Sequence, residues 1–206
     1  MRKNSPASAL LLFLFLVVTP INAAALTFNL DFLYSGSSPA GTSPWLTATF
    51  EDFAPNQVQL TLNFANLTAN ERVSYWYFNS NVSSFGVPVS GPNAAITTGG
   101  DFTAGGASGF DIQLAFIQPF SVGQLGVYNF FGTGLSASSF DLVNAGGSFF
   151  SAAQILGIGT TNTEGWIAAS QNGGPSPAPV PEPAAMILFG CGLSGLMIFG
   201  RKKLLT

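Results

Sequence analysis

Few residues in this chain are of types suited to chemistry. There is no histidine among its 206 residues, which removes the usual base near neutral pH, the Ser-His nucleophile pairs and the commonest transition-metal ligand. The one cysteine, Cys191, sits in an apolar stretch, where a thiolate is disfavoured. Carboxylates remain. Glu51, Asp52, Glu71, Asp101, Asp111 and Glu164 are the candidates for the paired acids of glycoside hydrolysis, which stand about 5 to 10 Å apart. Nothing in their spacing pairs them, and solvated surface acids are the plainer expectation. No catalytic residue, enzymatic activity or cofactor is therefore expected.

Two binding chemistries fit other residues. Asp101 in Gly99-Gly100-Asp101 and Asp111 after Gly109 are the best positions for calcium, a hard cation that takes carboxylate and carbonyl oxygens from loops. Their spacing matches no calcium-loop motif, so a polar turn is the competing expectation. The glycine-rich stretch 99–109 also lacks the Gly-Lys-Ser/Thr of a phosphate loop and reads as a long hairpin loop. Tyr75, Trp76 and Tyr77, with Trp45 and Trp166, are of the types that stack on sugar rings, since their rings combine an apolar face with polar edges. Alternation along a strand puts Tyr75 and Tyr77 on one face, Trp76 and Phe78 on the other. The competing expectation is that all of them are core.

The elements that position these residues read as strands. Phe28, Leu30 and Phe32, then Leu46, Ala48 and Phe50, then Val58, Leu60, Leu62 and Phe64 alternate with mostly polar neighbours, the period of two that half-buried strands require. Residues 73–78 are rich in strand formers. Phe110, Ile112, Leu114 and Phe116 alternate in the same way, and 125–131, 139–143 and 166–169 follow as later strands. Turn clusters fall at 35–44, 54–56, 91–93, 99–101, 105–106 and 146–147, where glycine and proline supply turn geometry. Only the short stretch 151–156 has a helical look. This pattern predicts an all-β fold, an antiparallel β-sandwich or jelly roll of about eight strands, with a core rich in the chain's 20 phenylalanines.

The ends are of a different kind. Met1-Arg2-Lys3, an apolar run at 9–18 and Ala23-Ala24-Ala25 follow the plan of a cleavable signal peptide over 1–25, with the mature chain starting near Leu26. The domain is expected over 26–170, followed by a Pro/Gly-rich linker at 171–179. Residues 184–200 form an uncharged run of 17 residues, at the lower edge of what spans a bilayer, and the basic residues behind it belong on the cytoplasmic side. Residues 26–179 hold one cation, Arg72, against eight acids, a net charge of −7, which repels phosphate and excludes a nucleic-acid role. With its only cysteine in the tail, the body makes no intrachain disulfide and must be held by packing.

Val180-Pro181-Glu182-Pro183, an apolar run containing Gly192-Leu193-Ser194-Gly195-Leu196, and Arg201-Lys202-Lys203 follow one another within the last 27 residues. This tail, 180–203, resembles the PEP-CTERM sorting signal of certain Gram-negative and cyanobacterial cells. The resemblance implies that exosortase, a membrane enzyme with a cysteine nucleophile, cuts near the Pro-Glu-Pro and takes this chain as substrate. It also implies a setting, a polysaccharide-producing cell with the product in the biofilm matrix or on the cell surface. In the body, 71–79 and 152–159 resemble recurrent segments of uncharacterised PEP-CTERM proteins. The expectation is an exported, exosortase-processed envelope or matrix protein with a structural or adhesive role. The alternatives are a module binding extracellular polysaccharide, with calcium as an aid, and a carboxylate hydrolase.

Overall fold

A computed structural model describes residues 25–86 and 94–170, and the backbone of 176–177. The expected signal peptide, apart from Ala25, the helix at 184–200 and the sorting tail lie outside the described residues. The body belongs to one compact unit, Ala23–Pro181. Among the described residues no helix is long and apolar enough to cross a membrane.

The chain forms β1 (Ala25–Leu30), β2 (Phe32–Gly36), β3 (Leu46–Ala54), β4 (Gln57–Asn63), β5 (Arg72–Phe78), β6 (Ala94–Ala104), β7 (Ala107–Ser121) and β8 (Leu125–Phe131). A 3-10 turn (Ala137–Phe140), β9 (Phe149–Ile158), β10 (Thr163–Ser170) and β11 (Ser176–Pro177) follow. They make a five-stranded sheet in the order β11-β1-β3-β4-β8 and a six-stranded sheet in the order β2-β10-β9-β5-β7-β6. All paired neighbours are antiparallel. The all-β expectation holds, as two antiparallel sheets with more strands than the eight expected.

Alternation explains the core. Phe28, Leu30, Leu46, Ala48, Phe50, Val58, Leu60 and Leu62 turn inward from the five-stranded sheet, and Trp76, Phe78, Ile112, Leu114, Ala153, Ile155 and Ile167 turn inward from the other. Phenylalanines lock the layers: Phe50 stacks on Phe140 at 4.0 Å and meets Phe78 edge-on at 5.1 Å, and Phe64 stacks on Phe120 at 4.5 Å. Each fully buried ring stabilises the fold by about 1.5–3 kcal/mol, so no disulfide is needed.

Several sequence expectations are corrected. Residues 139–143, expected as a strand, are not one: Ser139 and Phe140 close the 3-10 turn and 141–143 carry no regular structure; Phe140 anchors against Phe50, and the Asp52 carboxylate accepts the Ala137 N–H at 2.7 Å. The helical look of 151–156 is misleading, since it lies inside β9 with Ala152 buried on one face and Ala153 on the other. The expected 99–109 loop is strand nearly throughout. β6 pairs Thr98 with Ile112 and then Phe102 with Phe110, so Gly99, Gly100 and Asp101 bulge opposite Asp111 alone. Gly99, at φ 72°, supplies the left-handed backbone that the bulge needs. Of the expected linker, Ser176–Pro177 pairs with Leu26 and Thr27 of β1.

Candidate functional site

A bulge in β5 sets the site. Against β9 the register shifts between Val73 and Tyr75, so Ser74 is the extra residue there, while against β7 the excess lies on β7, between Ala115 and Phe120; Val73 joins Trp76 and Phe78 in the inter-sheet core. Tyr75 and Tyr77 then point to the outer face of the six-stranded sheet. Trp76 leaves the expected sugar platform: it is 0% exposed, its indole N–H donates to Ser151 Oγ at 2.7 Å, and the Ser151 hydroxyl donates to Tyr77 O at 3.0 Å. Trp45 is also buried, against the expectation that it joins the platform. Trp166 does reach the outer face.

That face carries a ribbon of rings. Tyr75 lies 6.3 Å from Tyr77, and Tyr77 lies 6.0 Å from Trp166. Further across the sheet Tyr34 packs on Phe149 at 4.7 Å, and Phe149 lies 6.1 Å from Phe32. The two ends are open, with Tyr75 38% and Phe32 46% exposed, while Tyr77 is 3% exposed. Sequence reading missed Phe32 because it continues the alternation of β1; the chain leaves that sheet at Asp31, so Phe32 starts β2 in the other one.

Polar side chains flank Tyr75. Its cross-strand neighbours are Ala115 on one side and Gln154 on the other, and Gln154 is opposite Trp166. Gln154 Oε1 accepts from the Ser74 hydroxyl at 2.6 Å, and its Nε2 donates to Glu164 Oε2 at 2.8 Å. In the next row Gln113 Nε2 donates to the Tyr77 hydroxyl at 2.9 Å. Burial pushes the Tyr34 and Tyr77 hydroxyls above the ordinary phenol range, with a further push on Tyr34 from Tyr77; the Gln113 bond opposes the shift at Tyr77. Both stay neutral donors at neutral pH. Tyr75 is thus an exposed ring edged by an amide and a carboxylate, with Ala115 and then Ala95 across the strands on its other side, an arrangement able to stack on an apolar face and hydrogen-bond at its edge.

The tip of the β6–β7 hairpin covers the middle of the ribbon. Ala104 is fully buried, and Tyr34 Oη donates to Ala104 O at 2.8 Å. A Cβ on Gly105 would fall 2.4 Å from Trp166 Cγ, so this backbone lies on the indole at a distance only glycine permits. Behind the tip, Asn144 Nδ2 donates to Ser108 O at 2.7 Å and Ala145 N–H to Gly109 O at 2.9 Å, tying the β7 arm to the loop before β9.

Asp101 and Asp111, the expected calcium pair, come to the same β6–β7 bulge. Asp101 is exposed, and Asp111 Oδ2 accepts the Ser80 N–H at 3.3 Å beside a cavity of about 160 Å³ lined also by Asn81, Ser83 and Phe85. Among the described residues no group of three His, Cys, Asp or Glu side chains stands together. The remaining acids are dispersed. Glu51 is exposed on β3 of the five-stranded sheet, Glu164 lies at the ribbon, and Glu71 is 0% exposed, with its two oxygens accepting the Ala40 and Thr68 N–H groups at 2.7 Å each.

Residues 179–203 match the family model of the PEP-CTERM protein-sorting motif. The matched span takes in Val180, Pro181, Glu182 and Pro183 and closes on Arg201, Lys202 and Lys203. No curated protein and no solved structure matches the chain. The motif points to an exported chain processed at a membrane by exosortase. The match leaves the β domain outside it.

Proposed function

We propose that the mature chain is a cell-surface or matrix protein, anchored by its C-terminal helix until exosortase cuts near the Pro-Glu-Pro, whose β domain adheres to neutral extracellular polysaccharide. The role is structural and adhesive, not catalytic. The observation that carries it is Tyr75, 38% exposed at the open end of the ring ribbon and edged by the Gln154–Glu164 pair at 2.8 Å. A ring takes the C–H face of a sugar while amide and carboxylate take its hydroxyls. The body's single cation supports a neutral polymer over an acidic one, which a charge of −7 would repel.

Binding to swollen cellulose, with polygalacturonate as the anionic comparison, tests this. Replacing an anchoring ring in a contact of this kind costs a factor of about ten or more. Tyr75→Ala is expected to lose that much on the neutral glucan. Phe53→Ala, which removes a ring 62% exposed on β3 of the other sheet, is expected to leave binding unchanged. Equal binding by wild type and Tyr75→Ala contradicts the proposal.

A further inference from the structure

We infer that the hairpin tip, residues 104–107, is a displaceable lid over a second aromatic subsite, and that an extended neutral polysaccharide takes its place on Trp166; this rests on the function proposed above. The ribbon surfaces on both sides of the tip, at Tyr75 and at Phe32. A polymer stacked on the Tyr75 ring and following the ribbon runs under the tip, so one of the two must give way.

The tip is built to leave cheaply. Gly105 and Gly106 bring backbone and no side chain to the contact, and Gly106 has nothing within 4 Å of where a Cβ would be. The side-chain bond holding the tip down is that from Tyr34 Oη to Ala104 O at 2.8 Å. The rings beneath form a small cluster of their own with Tyr77, Phe110, Ala152 and Ala168, to which the tip adds only the methyls of Ala104 and Ala107; it is separate from the inter-sheet core, so lifting the tip leaves that core closed. The bonds to Ser108 O and Gly109 O hold the β7 arm in place, and on the other arm Phe102 is paired with Phe110. Movement is thereby confined to the tip. When it lifts, Trp166 is uncovered across Gln154 from Tyr75, and the carbonyl of Ala104 releases the Tyr34 hydroxyl to a sugar oxygen.

Two readouts on the full chain in detergent test the lid. In Tyr34→Phe, which drops the latch and keeps the ring on Phe149, acrylamide quenching of the Trp166 fluorescence, isolated by difference from Trp166→Phe, is expected to rise severalfold with no glycan present. On adding cellohexaose to wild type, the amides of the paired Ala104 and Ala107 are expected to lose protection from hydrogen exchange at least tenfold, while that of Ala145, which donates to Gly109 O, keeps it. Quenching unchanged in Tyr34→Phe overturns the lid. Wild type that binds cellohexaose with unchanged or increased protection at the tip also overturns it, and leaves the function proposed above standing. Wild type that binds neither cellohexaose nor swollen cellulose overturns that function and the lid's ligand with it.

Discussion

Replacing Glu71 by alanine removes a fully buried carboxylate whose two oxygens hold two separate loops, at Ala40 and at Thr68, to the start of β5. A hydrogen bond to a charged acceptor is worth about 1.5–3 kcal/mol. Both of these are part-buried, which favours the lower figure, so the pair contributes about 3 kcal/mol. For a domain of this size each kcal/mol moves the midpoint of thermal unfolding by about 2–4 °C, giving a fall of about 6–12 °C. Glu71→Gln keeps one acceptor and turns an amide donor toward the other N–H, so it should cost about 2 kcal/mol, between alanine and wild type. Glu51→Ala, on the exposed face of β3, should stay within about 0.5 kcal/mol. Near-ultraviolet circular dichroism on heating measures all three variants. Because buried hydrogen bonds are little screened, the loss should persist in 1 M salt, where the Debye length is about 3 Å. A midpoint for Glu71→Ala within 2 °C of wild type would refute the assignment of Glu71 as a loop staple and return it to the pool of chemically available acids.

Two further outcomes follow from the buried polar groups. Ser151→Ala leaves the Trp76 indole N–H without its acceptor and the Tyr77 carbonyl without its donor; chemical denaturation should show a loss of about 1–3 kcal/mol. Tyr34, Tyr77 and Tyr128 are all held protonated by burial above the ordinary phenol range, so above pH about 10 the folded chain binds more protons than the unfolded one. Stability is then fully present below pH about 10 and falls as pH rises beyond it, and absorbance at 295 nm should show these three phenols ionising together with loss of the near-ultraviolet signal.

The two-sheet body was legible because strand alternation is a local signal: the strands around Phe28, Phe50, Leu60, Leu114 and Tyr128 stand where the period of two puts them. So was the opposite facing of Tyr75 and Trp76. Bulges were not legible. One extra residue at Ser74 decides which side Val73 takes, and three residues at Gly99–Asp101 turn a glycine-rich stretch that reads as loop into an edge strand, because positive φ serves a turn and a bulge equally well. The sheet change at Asp31 was hidden for a related reason, since Phe32 keeps the alternation of Phe28 and Leu30 while its strand pairs elsewhere. Gln154 escaped notice because Ala152 and Ala153 obscure the alternation of β9, where both faces are buried. The tail is the reverse case. Its Pro-Glu-Pro, apolar run and basic end are a linear signal, complete in the sequence without any fold.

The mass of the mature C-terminus, taken from matrix and membrane fractions of the native cells with and without exosortase, tests the central claim most directly. Processing predicts a chain ending near Pro181–Pro183 outside the membrane when exosortase is present, and a membrane-bound chain running to Thr206 when it is absent. A chain ending at Thr206 and confined to membranes in both cells would contradict the account.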